Sequence, residues 1–137
     1  MSLGFDGPVE RHPLLNGMRA EDAAELGLAM GRLMNRVADA GISGGQVEAL
    51  LGLAFGEWNL IVRGRPGWRL SGSQERRARL AVELLDRLHD VIGGWDATRE
   101  WLGAATDELD GASPLEWASA SAEHLFAMVA ALRAEAE

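Results

Sequence analysis

The stretch Ser71–Gly94, SGSQERRARLAVELLDRLHDVIGG, decides the fold class. Ser71 and Gln74 stand at the S-x-x-Q spacing of a capping box, in which each side chain accepts a hydrogen bond from the other residue's backbone N–H at a helix start. Leu80, Leu84, Leu88 and Val91 then recur at intervals of four, four and three, so they form an apolar stripe along one side of a helix that runs to Gly93-Gly94. Such a stripe must be buried against another layer of structure. No segment alternates like a strand for more than a few residues, and no internal repeat or low-complexity tract is present. The fold class expected is all-α, with about six or seven helices.

Upstream, Leu26, Met30, Leu33 and Val37 follow spacings of four, three and four, which predicts a helix from Ala20 that stops at Gly41. Ser43 caps a second helix over Gly44–Leu51, ended by Gly52, and a third short helix over Gly56–Arg63 ends at Gly64. Pro66 and Gly67 keep the following residues out of helix. Downstream, Asp96 is read as the cap of a short helix through Trp101-Leu102. Ser113-Pro114-Leu115-Glu116 combines a cap, a first-turn proline and a glutamate three residues on. Ser121 caps the last helix, where Leu125, Val129 and Leu132 stack at four and three. The organisation expected is a loose arm over 1–19, rich in Gly and Pro, a helix-turn-helix-like module over 20–70, and a C-terminal helical module over 71–137.

The chain has 137 residues, 47% of them hydrophobic and 25% charged, enough for one domain or two small modules sharing a core. It has no cysteine, which removes disulfides, thiolate metal sites and a cysteine nucleophile. His12, His89 and His124 stand far apart and in no metal-ligand spacing, so neither metal nor cofactor is expected. Nucleophile-elbow, Walker-type and dinucleotide-binding motifs are absent, and the carboxylate pairs suit helix faces and caps, so the chain reads as a non-enzyme. No apolar run approaches the ~20 residues of a membrane span, and the N-terminus does not resemble a signal peptide; a cytoplasmic protein without membrane contact is expected.

The net charge of -8 is unevenly spread. Residues 1–72 hold seven arginines and eight acids, whereas residues 73–137 hold six arginines and thirteen acids. Between Glu57 and Leu80, six arginines face two acids, and the chain has no lysine. The short helices around the Gly52-Leu53-Ala54 turn have the layout of a helix-turn-helix. In that layout Trp58 and Ile61 face the core, Phe55, Gly56, Glu57 and Leu60 face outward, and Asn59 and Arg63 are the residues suited to reading bases. Arg65, Arg69, Arg76 and Arg77, with Arg79, would then hold phosphates. The same residues fit a helical hairpin whose arginines are solvated. Trp95, Trp101 and Trp117 are expected in the core, Trp68 in an exposed loop and His89 at the surface or its boundary.

The segment WLGAATDELDGASPLEW, residues 101–117, is more specific. With Leu70-Ser71, Arg77, Leu80 and Leu84 before it, its order of W-L, L-x-G and S-P-L-E resembles the Xre/MbcA/ParS family of antitoxins. The likeness covers roughly residues 20–135. It implies an antitoxin that pairs with a RES-domain toxin, an NAD-consuming enzyme, and neutralises it by covering its active site. It also implies a homodimer formed through the N-terminal half, with operator DNA as a further partner. The toxin-binding module implied contains Trp101, Leu102, Leu109, Gly111, Ser113, Pro114, Leu115 and Glu116, and the end of the last helix near Leu132 and Arg133. Trp101 and Leu102 are expected to anchor a small core with Leu109 and Leu115, and Gly111 to sit where a Cβ would obstruct a turn. The alternative from a different class is a stand-alone helix-turn-helix regulator without a toxin partner.

Overall fold

The computed structural model describes residues 20–64 and 70–136, together with the side chains of 30–64 and 70–135. The arm over 1–19 and the positions of Arg65, Trp68 and Arg69 lie outside the described residues. Seven α-helices form among the described residues: α1 (Ala20–Asp39), α2 (Gly44–Leu51), α3 (Glu57–Val62), α4 (Gly72–Leu88), α5 (Trp95–Gly103), α6 (Pro114–Ser119) and α7 (Ala122–Ala136). The fold is all-α. No helix among the described residues is long and apolar enough to cross a membrane.

Helix α4 is the axis of the fold, with α1 and α7 packed along it and α2 seated on both α4 and α6. Its capping box forms as the spacing predicts: Gln74 N–H donates to Ser71 Oγ at 3.1 Å, and Ser71 N–H donates to Gln74 Oε1 at 2.9 Å. Equivalent boxes start α2, from Ser43 and Gln46, and α6, from Ser113 and Glu116. One apolar core runs through both halves of the chain, joining Leu33 and Val37 of α1, Val47, Leu50 and Leu51 of α2, Leu84 and Leu85 of α4, and Leu125 and Val129 of α7. The expected boundary at residue 70 is thus bridged by the packing of α1 and α2 against α4.

Two expectations for the middle of the chain are corrected. The α-helical period does not continue to Val91, because His89–Gly93 widens into a π turn. A π turn takes one more residue than an α turn, so the inward position moves on by one. Ile92 packs on the core, and Val91 is about half exposed at 48%. Asp96 does not cap α5 either. The N-cap position belongs to Gly94, and Asp96 lies within the first turn, paired with Arg99.

Local charge ties the helices together. Arg36 on α1 is paired with Asp86 on α4. On the other side, Arg133 of α7 donates to both oxygens of Glu83 at 2.6 and 2.7 Å, and Arg87 adds a third bond at 2.7 Å. These bonds, those of Arg133 foremost, hold the Glu83 carboxyl down at about 2 against an ordinary 4.5.

Candidate functional site

Two surfaces carry the residues singled out above. The first is the α2–α3 corner. Trp58 and Ile61 are buried, and Phe55 projects fully into solvent. Asn59 on α3 and Arg63 at its C-cap are exposed four residues apart. Helix α3 is only six residues long, and its N-cap, Gly56, supplies no side chain. The buried Glu48 compensates by accepting Trp58 N–H at 3.0 Å across the corner. The sequence reading missed this role, which only the return of the chain over ten residues creates.

The arginines divide by task. Arg76 is exposed on α4, and Arg79 pairs with Glu75 one turn back. Arg77, expected on phosphate, is instead spent inside the protein. Its Nε donates to the Leu50 carbonyl at 2.8 Å, and its Nη2 donates to those of Ala49 and Ser119 at 3.1 Å each. These are carbonyls at the C-terminal ends of α2 and α6, which lack partners within their own helices and attract a cation. Burial lowers the pKa of this guanidinium, an effect that the nearby Glu123 opposes.

The second surface is an apolar groove of about 410 Å³ between the 101–117 segment and the outer side of α7. Trp101, Leu109, Pro114 and Trp117 belong to the first wall, and Ala127, Met128, Ala131 and Leu132 to the α7 side. Trp117 is braced by His124, whose ring lies stacked on the indole at a 4.1 Å centroid distance and 6° tilt. His124 Nδ1 is 2.9 Å from the Trp117 carbonyl, which can only accept, so Nδ1 carries the proton. The loop between α5 and α6 closes on itself: Gly111 N–H donates to the Thr106 carbonyl at 2.8 Å, and Thr106 N–H donates to the Ala112 carbonyl at 3.1 Å. Thr106 Oγ1 is buried without a hydrogen-bond partner.

The residues of the 101–117 motif therefore separate. Leu102 and Leu115 are core, and Ser113 with Glu116 sets the start of α6. Trp101 is not a core anchor, since 38% of it is exposed at the groove. Its helix presents Leu102 inward, and a neighbour in sequence is turned by about 100°, to the rim. Trp95 is half-buried, packed on the core and tilted against His89 at 4.5 Å. Gly111 is needed for its backbone angle, φ 86°, because a Cβ there would meet nothing within 4 Å. Arg133 is held on Glu83, about half a turn around α7 from Ala131, and Phe126 beneath its guanidinium also lies off the groove. Besides Trp117, the sequence reading missed Thr106, Glu108, Met128, Ala127, Ala131 and Glu135. The available signal was α7 itself, whose apolar residues spread well beyond the one face that Leu125, Val129 and Leu132 need.

Neither a protein-family model nor a curated protein matches this chain.

Proposed function

We propose that this protein is an antitoxin that neutralises a RES-domain, NAD-consuming toxin by seating its groove-bearing C-terminal half over the toxin's active site. The observation that carries the reading is the exposure of Trp101 beside Trp117 and Leu109 in an apolar groove. Large aromatic side chains left at a surface among apolar neighbours mark protein contacts more often than chance exposure does. The groove is framed by the motif on which the antitoxin resemblance rests. The acidic second half of the chain also suits a partner whose cleft is built for an anionic dinucleotide, since opposite fields speed encounter. The experiment is co-expression with RES-domain toxins, scoring growth rescue and co-purification. Rescue by the wild type and its loss in a folded Trp101→Ala variant support the proposal; toxicity undiminished by the wild type overturns it.

A second reading, a DNA-binding regulator acting as a homodimer through its helix-turn-helix-like half, is favoured by the exposed pair Asn59 on α3 and Arg63 at its C-cap. Binding to the upstream operator that weakens steeply with salt and with Arg63→Glu would support it. Retention unaffected by either would count against it.

A further inference from the structure

We infer that the groove beside α7 takes an amphipathic helix from the partner protein, apolar along one ridge and flanked by arginine or lysine. The inference rests on the reading of this groove as the docking face, and adds the shape and charge of what docks.

Shape comes first. The groove follows α7 from Ala127 to Glu135, about 12 Å or two helical turns. Ala127 and Ala131, one turn apart and exposed, lower its floor while Trp101 raises the facing wall. A row of small residues at i and i+4 leaves the kind of channel into which the i±4 ridge of another helix fits. An extended segment is a poor occupant, because it would bury its own N–H and C=O groups among apolar side chains. Among the lining side chains only Thr106, Glu108 and Glu135 are polar. A helix brings its backbone groups already paired.

Charge fixes the flanks. Glu108 lines the groove from the 101–117 segment and Glu135 from α7, the latter in its final turn, whose carbonyl ends add negative potential. Asp107 and Asp110 are exposed on the same turn as Glu108. Arg133, in that same final turn, is drawn away to Glu83. An apolar floor inside an anionic border selects a basic amphipathic helix and repels an acidic one.

The test is selection of a displayed library of helical peptides, about four turns long and randomised at their outward positions, on the full chain. Enriched peptides should carry large apolar residues one turn apart and an excess of arginine and lysine. Ala131→Trp, which fills the channel from an exposed position, and the double change Glu108→Lys with Glu135→Lys should each weaken them by about tenfold or more while circular dichroism stays unchanged. Failure to enrich any peptide, enrichment of neutral or acidic ones, or indifference to both variants overturns the inference. So does a wild-type dimer that Ala131→Trp dissolves, because the occupant would then be a second copy. Toxin co-expression separates this inference from the antitoxin reading. If the wild type and Ala131→Trp neutralise the toxin equally, the docking helix is wrong and the antitoxin stands. If basic peptides are selected but the toxin is not neutralised, the antitoxin falls and the groove assignment holds.

Discussion

The guanidinium of Arg77 fills the space above Gly52, with Nη1 3.0 Å from where a Cβ on that glycine would stand. Gly52 is the left-handed residue that ends α2, at φ 77°, so a side chain there is strained by its backbone angle and presses on Arg77. The same arrangement ends α1. There Arg99 of α5 donates to the Asp39 carbonyl at 3.0 Å, and its Nε lies 2.5 Å from the Cβ position of Gly41. Two helices are thus closed by a glycine beneath an arginine from a distant helix.

Substitution should expose this pairing. Gly52→Ala should cost about 1–2 kcal/mol from the left-handed backbone alone, plus the displacement of Arg77. Arg77→Leu, which leaves three carbonyls short of a donor, should cost about 1–3 kcal/mol. Arg76→Glu should change stability by no more than about 0.5 kcal/mol. Urea denaturation of the three variants checks the order, and equal losses for Arg76→Glu and Arg77→Leu would refute the division of labour.

Trp101 and its neighbour should behave oppositely. Leu102→Ala, in the core, should destabilise by about 2–5 kcal/mol. Trp101→Ala should cost clearly less, because much of its ring is already in water, yet it should abolish partner binding. Thermal melts beside a binding assay decide this, and a Trp101→Ala protein that unfolds as readily as Leu102→Ala would return Trp101 to the core.

The Glu83–Arg133–Arg87 cluster predicts a pH dependence. A carboxyl held at about 2 in the folded chain and near 4.5 when unfolded contributes stability that is complete above the ordinary carboxylate range. That contribution fades as pH falls from about 4.5 towards about 2. Glu83→Gln should therefore lower stability at neutral pH and match the wild type near the acid limit. A stability difference constant over the whole acid range would show that the ionised pair is not its source.

Thr106→Val should stabilise the fold by up to about 1–3 kcal/mol, since it removes a buried hydroxyl that has no partner. Differential scanning calorimetry reads the shift. A destabilised variant would reveal a hydrogen bond to Oγ1 in solution.

What the sequence made legible was local. The capping pairs Ser71–Gln74 and Ser113–Glu116 lie within one turn, so spacing alone locates α4 and α6. The burial of Leu33, Leu84 and Leu125 follows from regular period in the same way. Arg77 was misplaced because its acceptors are 27, 28 and 42 residues away, a relation that no window contains. Trp101 was misplaced because helical spacing marks which side chains are apolar, and an apolar stripe is wider than the core it meets. The groove became visible only when α7 was laid beside the 101–117 segment.

The widened turn at His89–Gly93 shifts the inward face by one residue at the end of the α4 run. A homologous chain with a regular α-helix in that place would need one residue fewer between Leu88 and Trp95 to present the same face, with Val91's counterpart pointing inward. Deleting one residue there should thus be far less disruptive than deleting one from the middle of α4, where no slack exists to absorb it. The one extra residue of this turn acts as a built-in insertion that sets Ile92, in place of Val91, against the core before Gly93 and Gly94 break the helix.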